Sequence, residues 1–293
     1  MKSEVINRKT NIKYEEKYPN GANFLYNNFL GKIVLKLVTK RFVSKLAGSY
    51  MNTKLSTRHI KAFIKSNNID MTDYKEEEYS SFNAFFSRKI KDGKRQISKA
   101  KTTLISPADS KLLVYEIKEN NKFEIKGKEY SIKEILRNDT LAKKYDGGYF
   151  LVFRLSVDDY HRYSFIDNGK VLKKYQINGK FHTVGPIAFK DHKIFQENQR
   201  EYELLRTENF GDIIQMEIGA LMVGKIVNHD ITKFKKGDEK GYFLFGGSTV
   251  VIIVEKDRVV IDDDIMKNSE ENIETRIKLG DIIGKKSGKN ENI

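Results

Sequence analysis

The chain has 293 residues with no Cys and no Trp, and 54 Lys and Arg against 40 Asp and Glu give a formal charge of +14. The absence of Cys excludes disulfides, thiolate metal sites and thiol nucleophiles, and a reducing cytoplasm is its natural compartment. The positive charge favours phosphates of lipid head groups or of nucleic acid, although a general Lys bias of composition explains it equally well. No apolar run reaches the roughly 20 residues of a membrane span and no signal peptide opens the chain, so we expect a soluble or peripheral protein.

The N-terminal part contains a polar segment followed by a segment with helical periodicity. Residues 1 to 22 are polar, and we expect them to be irregular. From residue 24 to 50 apolar side chains recur at helical spacing with lysines mostly opposite, which predicts a basic amphipathic helix. Such a helix either packs on the domain core or lies in an anionic membrane interface. Its apolar positions are Leu30, Ile33, Val34, Leu37, Val38, Phe42 and Leu46.

Further helices are predicted at residues 57 to 66, 79 to 88 and 132 to 144. In the second of these, Phe82, Phe85 and Phe86 share one face, which we expect to lie in the core. After about residue 104, short β-type runs alternate with turn residues, at 112 to 115, 149 to 153, 213 to 218 and 250 to 254.

These patterns predict an α+β fold with a mainly antiparallel β body. We expect an N-terminal helical, membrane-facing region at residues 1 to 103, a catalytic body at residues 104 to 293, and a fraying polar tail from 285 to 292.

Three residue types of a catalytic triad occur in polar segments of the body. Asp109 follows Ser-Pro-Ala, His161 lies in Asp-Asp-Tyr-His-Arg-Tyr, and Ser248 follows two glycines. They offer an acid, a base and a nucleophile, but each also has an ordinary role, as a turn cap, a buried histidine and part of a hairpin turn. A serine hydroxyl beside a glycine carbonyl at a strand junction can also attack its own backbone.

The order and company of these segments resemble the phosphatidylserine decarboxylase proenzymes. The resemblance rests on residues 82 to 88 (FNAFFSR), 106 to 109 (SPAD), 159 to 163 (DYHRY) and, most specifically, 236 to 249 (KGDEKGYFLFGGST). It covers about residues 80 to 285, and the N-terminal part more weakly.

The resemblance implies self-cleavage between Gly247 and Ser248, giving a large chain of residues 1 to 247 and a small chain of residues 248 to 293. Ser248 would become a pyruvoyl group, a covalent cofactor that forms a Schiff base with the amine of phosphatidylserine, so no pyridoxal phosphate or metal is expected. Loss of carbon dioxide would give phosphatidylethanolamine, a step of phospholipid biosynthesis.

The resemblance also assigns roles. We expect Asp109 to orient His161, His161 to act as the base and Ser248 to be the nucleophile. Many relatives carry a second histidine three residues after the first, where this chain has Ser164, and Ser110 replaces a frequent glycine. His182 is the second candidate for the base. His229 ranks third, and we expect His59 and His192 to lie on the surface.

For partners we expect phosphatidylserine, an anionic membrane surface on the cytoplasmic face of the cell membrane, pairing of the two cleaved chains, and a homodimer of that pair. Two alternatives are open. One is a Ser-His-Asp hydrolase that uses Ser248 without self-cleavage, although the second glycine of Gly-x-Ser-x-Gly is missing. The other is a basic module for nucleic acid, which we do not expect because no recognised motif is present.

Overall fold

A computed structural model describes residues 3–16, 20–39, 41–125, 127–220, 225–246 and 248–288. Within these ranges the helices are α1 Asn20–Asn27, α2 Phe29–Val38, α3 Arg41–Met51, α4 Ile60–Ser66, α5 Phe82–Phe86, α6 Ile132–Leu136, α7 Asp139–Ala142, α8 Ile194–Glu197 and α9 Asp263–Glu270. The strands are β1 Ser3–Asn7, β2 Ile12–Glu16, β3 Thr103–Ile105, β4 Ser110–Glu116, β5 Lys122–Ile125, β6 Lys128–Ser131, β7 Tyr149–Leu155, β8 Arg162–Ser164, β9 Gly169–Ile177, β10 Arg200–Thr207, β11 Asp212–Gly219, β12 Ile226–Asn228, β13 Lys233–Phe234, β14 Glu239–Phe243, β15 Ser248–Val254, β16 Val259–Ile261, β17 Glu274–Ile277 and β18 Ile282–Lys286. Short 3₁₀ turns join several of these elements. None of the helices in the described ranges combines the length and apolar character that a membrane crossing requires.

A ten-stranded sheet organises the fold, in the order β13-β9-β10-β11-β15-β7-β4-β17-β1-β2. Its neighbours pair antiparallel throughout the described residues except β1 and β17, which run parallel. The prediction of an α+β fold with a mainly antiparallel body is therefore confirmed. Strand β15 lies in the middle of the sheet and is buried over all seven residues, which explains its unbroken β-branched sequence.

The core lies on both faces of this sheet because successive side chains of a strand point to opposite sides. Val251 and Ile253 join an apolar cluster that contains residues of α6, α7 and α8. Val250 and Ile252 join a second cluster, which is covered by two three-stranded sheets of order β12-β14-β8 and β16-β18-β3. A third, aromatic cluster surrounds α5 and includes the predicted core residues Phe82, Phe85 and Phe86, all buried.

The expectation of an irregular N-terminus is wrong, because β1 and β2 extend the main sheet. Val5 is fully buried and lies opposite Glu274 in the parallel pair, and Ser3 Oγ donates a hydrogen bond of 2.6 Å to the carboxylate of Glu274. The partner strand is some 270 residues further along the chain. The local sequence therefore carried only a weak strand signal.

The single helix predicted for residues 24 to 50 is three helices. Asn28 separates the first two, since its side chain accepts a hydrogen bond of 2.9 Å from the Leu30 backbone and caps α2. The apolar residues do not face the core: Leu30 is 64% exposed and Leu37 is 54% exposed. The side chains of Val38 and Phe42 lie outside the described part of the structure.

Two other boundaries differ from the predictions. The helix expected at residues 132 to 144 is divided into α6, α7 and a 3₁₀ turn, and Arg137 between them has a left-handed φ of 50°. Lys285 and Lys286 belong to β18 and pair with β16, so the C-terminal tail is ordered further than expected, while residues 289–293 lie outside the described ranges. The helices at 57 to 66 and 79 to 88 and the four strand runs are confirmed within a few residues.

Candidate active site

Ser248 opens the central strand β15. It lies opposite Leu155 of β7 and Gly219 of β11, it is fully buried, and its Oγ has no hydrogen-bond partner among the described residues. By the alternation of the strand its side chain shares a face with Val250, toward the layer that holds β8 and β14. Gly247, and with it the predicted cleavage bond, lies outside the described residues.

His161 immediately precedes β8 in that same layer. Its backbone oxygen accepts a hydrogen bond of 2.9 Å from Phe243, the last residue of β14, and β14 leads into the loop before Ser248. Its Nδ1 lies 2.9 Å from the carbonyl oxygen of Asp159. Because a carbonyl can only accept, Nδ1 carries the proton and the lone pair is on Nε2, which is buried and has no partner in the described chain.

The environment of His161 keeps its imidazole neutral. The side chain is completely buried, and burial followed by the positive charge of Arg88 lowers the pKa of His161 from 6.5 to about 3. A neutral imidazole with a free Nε2 has the protonation state that a general base requires at neutral pH.

Helix α5 contacts both His161 and the loop before Ser248. The ring of Phe86 lies 3.9 Å from the imidazole of His161 and 5.3 Å from the ring of Phe245, measured between centroids. The side-chain oxygen of Asn83 accepts a hydrogen bond of 2.8 Å from the Phe245 backbone. Gly246 follows Phe245 with a φ of 138°, a backbone conformation that residues other than glycine rarely adopt. The FNAFFSR segment therefore contacts both His161 and the loop before Ser248.

Asp109 makes other contacts than the predicted one. Its carboxylate accepts from both Nε, at 2.9 Å, and Nη2 of Arg95, and from the Leu279 backbone at 2.8 Å. His161 donates instead to the carbonyl of Asp159. The structure therefore does not join Asp109, His161 and Ser248 into one hydrogen-bonded triad, and the role of Asp109 stays a prediction.

Arg88 is a neighbour of the site to which sequence reasoning gave no role. Its guanidinium is buried, lies 4.1 Å above the ring of Tyr74, and reaches the carbonyl oxygen of Asp159 with Nη2 at 3.4 Å. Nε and Nη1 have no hydrogen-bond partner within the part of the chain that is described. Arg88 and His161 thus share one carbonyl, which only the folded chain could reveal.

A buried charge network holds that carbonyl in place. Lys111 Nζ donates a hydrogen bond of 2.7 Å to the carboxylate of Asp159, which also accepts one of 2.7 Å from the Ser156 backbone. Lys111 lies beside Arg154 in the β4–β7 pairing, and Arg154 bonds to Glu16 of β2 and to Glu274 of β17. The N-terminal hairpin is therefore connected by charges to the residue that orients His161.

Comparison with known proteins identifies the family of this chain. The family model for phosphatidylserine decarboxylase matches residues 82–285. The phosphatidylserine decarboxylase proenzyme 2 of Clostridium acetobutylicum is 50% identical over 287 residues, covering 97% of this chain and 99% of the relative. Proenzymes of Fusobacterium nucleatum and Clostridium tetani are each 46% identical, covering 97% of this chain and 97% and 98% of their own lengths.

The chain belongs to the phosphatidylserine decarboxylase family. It is therefore an enzyme of the decarboxylase type. The predicted resemblance is confirmed, and it extends over nearly the whole chain instead of being confined mainly to residues 80 to 285.

At two positions this decarboxylase departs from the expected family pattern. Ser164, at the place of a second histidine, is buried. Its backbone N–H donates a hydrogen bond of 2.9 Å to the carbonyl of Pro107, and its backbone carbonyl accepts one of 3.2 Å from the Gln215 side chain. Ser110 donates to the carbonyl of Ala108 at 3.3 Å. Neither contact supplies a base.

His182, the second candidate for the base, lies in a different contact network of the decarboxylase. Its ring stacks on His192 at 3.8 Å, and burial followed by His192 lowers the pKa of His182 to about 4. Its backbone donates to Asn198, which in turn donates 2.8 Å to the carbonyl of Gly219, opposite Ser248. His182 is therefore connected to the Ser248 strand through Asn198.

The remaining histidines divide as follows. His59 is exposed, as expected, and His229 bonds to Glu239 at 2.8 Å. His192, expected on the surface, is partly buried: its side chain is 25% exposed and packs against His182 and Tyr26. In the described residues His182, His192 and Glu197 form the one group of three side chains whose ligand atoms lie close enough, within 4.8 Å, to share a metal ion.

Proposed function

We propose that the chain is the precursor of a pyruvoyl enzyme that decarboxylates phosphatidylserine to phosphatidylethanolamine and carbon dioxide, after cleaving itself between Gly247 and Ser248. The observation that carries this proposal is the buried Oγ of Ser248, which has no hydrogen-bond partner among the described residues and lies on the sheet face toward the layer of His161. The chain also belongs to a family whose relatives are named proenzymes.

Cleavage and formation of the ketone use groups of this chain and one water molecule. His161 Nε2 takes the proton of Ser248 Oγ, Oγ attacks the carbonyl carbon of Gly247, and the amide C–N bond breaks as the nitrogen is protonated, leaving an ester. Loss of the Cα proton of Ser248 then breaks the ester C–O bond, which leaves a carboxylate on Gly247 and dehydroalanine at position 248. Addition of water and loss of ammonia convert dehydroalanine into the ketone.

The surroundings of position 248 fit a pyruvoyl group better than a new amino terminus. Ser248 and Thr249 are both buried, at 0% and 1% exposure, beside the apolar Leu155. An ammonium ion in such a place would carry a large desolvation penalty, whereas a ketone carries no charge. When present, the pyruvoyl group would supply the carbonyl carbon that binds the substrate amine and thereby an electron sink for the bond broken in decarboxylation.

The chain's own residues then hold and move a proton. His161, neutral and held at Nδ1 by Asp159, accepts and returns a proton at Nε2. Phe86 covers the imidazole and excludes water from it. Arg88 supplies a fixed positive charge beside His161, and we retain Asp109, paired with Arg95, as an acidic residue of the site.

We further propose that the enzyme binds the cytoplasmic face of the cell membrane through the apolar helix face, defined as Phe24, Phe29, Leu30, Ile33, Val34, Leu37 and Leu46. Each of these side chains is more than 40% exposed, and Phe29 reaches 77%. Apolar side chains beside exposed Lys32 and Lys36 are the combination that binds anionic interfaces. A homodimer of the cleaved pair stays a prediction.

Sedimentation with vesicles tests the membrane proposal. Leu30→Ser with Leu37→Ser should lower binding to phosphatidylserine-containing vesicles, because both side chains belong to the apolar helix face. Leu172→Ser is the matched control, since Leu172 is 38% exposed on β9. Equal binding by both variants and the parent would refute the proposal.

Release of labelled carbon dioxide from carboxyl-labelled phosphatidylserine tests the reaction. Ser248→Ala should release none, while Ser66→Ala, an exposed serine of α4, should match the parent. Ester hydrolysis by an uncleaved parent chain, without carbon dioxide, would instead support the Ser-His-Asp hydrolase.

A further inference from the structure

A second candidate site lies at the edge of a cavity between the N-terminal helices and the catalytic body. The cavity has a volume of about 650 Å³. Tyr26, Lys32 and Leu35 of α1 and α2 line one side, and His182 and His192 line the other. His182 is the second candidate for the base, but the proposed mechanism uses His161 and gives these groups no role, so their arrangement calls for a separate explanation.

The distances from Glu197 to the two histidines are close to those of a metal site. Glu197 Oε2 lies 3.7 Å from His182 Nε2 and 3.5 Å from His192 Nδ1. Two ligands of a tetrahedral zinc ion, at about 2.0–2.1 Å from the metal, are separated by about 3.3–3.5 Å. Glu197 Oε2 is therefore within a few tenths of an ångström of ligand spacing from each histidine, whereas the stacked imidazoles must rotate so that their lone pairs converge on one ion.

A second observation points to a ligand. His182 is 4% exposed, and neither of its ring nitrogens has a hydrogen-bond partner in the described residues. A buried imidazole without partners is costly, and a metal ion would satisfy the nitrogen nearest Glu197. Burial also lowers the pKa of both His182 and His192, which keeps the imidazoles in the neutral form that binds metals.

We propose that His182, His192 and Glu197 bind a divalent transition-metal ion, with Zn²⁺ as the preferred ion. Two histidines and a carboxylate leave a fourth position open toward the cavity. The three ligands lie within residues 182–197, so the ion would fix the segment that ends at Asn198, whose side chain bonds the carbonyl opposite Ser248.

One cation competes with the metal. Lys180 Nζ donates 3.2 Å to Glu197 Oε2, the oxygen that faces both histidines. The Lys180 side chain is 62% exposed and can turn into solvent when an ion binds. Removing the charge of Lys180 should strengthen metal binding. If Lys180 and the histidines instead form an anion site, removing that charge should weaken the binding of inorganic phosphate.

Titration of the chelator-stripped, full-length protein with Co²⁺, followed by Zn²⁺ displacement, tests the proposal. We expect visible absorption bands of four-coordinate Co²⁺ that Zn²⁺ abolishes. His192→Ala and Glu197→Gln should weaken binding at least about 10-fold, since loss of a ligand exceeds the effect of an outer-shell change. Lys180→Met should tighten it. His59→Ala, at an exposed histidine, is the matched control and should bind as the parent does.

The outcomes separate clearly. Weaker binding in His192→Ala and Glu197→Gln together with tighter binding in Lys180→Met supports the site. Parent-like Co²⁺ spectra in both ligand variants would overturn it. Tighter binding of inorganic phosphate by the parent than by Lys180→Met, without Co²⁺ bands, would also overturn it. Circular dichroism of each variant distinguishes lost ligands from lost folding, and metal binding is measured independently of chain cleavage.

Discussion

Glu16→Gln tests the charge network that connects the N-terminal hairpin to the active site. Glu16 accepts from Ser156 Oγ at 2.7 Å and pairs with Arg154, which is buried. Burial alone would raise the pKa of Glu16, but the charges of Arg154 and Lys111 outweigh it and lower the pKa from 4.5 to about 2. A shift of that size corresponds to about 3 kcal/mol of folding free energy.

The sign of the pH dependence follows from the lowered pKa. The contribution of Glu16 is complete above the unfolded pKa of 4.5 and is lost as the pH falls through about 2. At neutral pH we expect Glu16→Gln to lower the melting temperature by about 5 °C for a chain of this length, and by clearly less near pH 3. The Ser248→Ala background keeps the predicted cleavage from splitting the chain during the melt.

Glu4→Gln provides the control on the same hairpin. Glu4 pairs with Lys13 at 3.1 Å, but both side chains are nearly half exposed. Glu4→Gln should therefore lower the folding free energy by less than about 1 kcal/mol. Two results would refute the reasoning: an equal decrease of melting temperature in the two variants, or a decrease in Glu16→Gln that is as large near pH 3 as at neutral pH.

Three further predictions concern the cleavage step, followed by denaturing electrophoresis. His161→Asn should slow cleavage by about 10²–10⁴, the usual contribution of a general base, and a parent-like rate would pass the base role to His182. Because the pKa of His161 is lowered to about 3, the parent rate should be flat from neutral pH to about pH 5 and fall only below about pH 4; a midpoint near 6.5 would contradict the buried, neutral base. Gly246→Ala should cost about 1 kcal/mol or more and slow cleavage, because φ is 138°, whereas Gly288→Ala, where an added Cβ meets nothing within 4 Å, should do neither.

The sequence predicted those parts of the fold whose signals are local. The run around Val250 is β-branched and the run around Leu151 is aromatic and aliphatic, because both sheet faces are buried. Phe82, Phe85 and Phe86 share one face, which their spacing alone predicts. Ser248 and His161 could be identified because long, specific motifs surround them.

Contacts between distant segments could not be predicted in the same way. Strand β1 owes its place to β17, because three of its own five residues are charged or polar and only Val5 belongs to the buried core. The resemblance predicts that Asp109 orients His161. In the structure the carboxylate of Asp109 accepts hydrogen bonds from Arg95, and the imidazole of His161 donates to the carbonyl oxygen of Asp159. Arg88 and the pairing of His182 with His192 likewise depend on how separate loops pack.

The intact mass of the purified protein tests the central claim most directly. We predict two chains, one ending at Gly247 and one beginning at position 248, the smaller lighter by one ammonia than residues 248 to 293 because a ketone replaces its amino terminus. The Ser248→Ala variant should stay a single chain. A single unmodified chain of 34.0 kDa from an active parent preparation would contradict self-cleavage and the pyruvoyl assignment together.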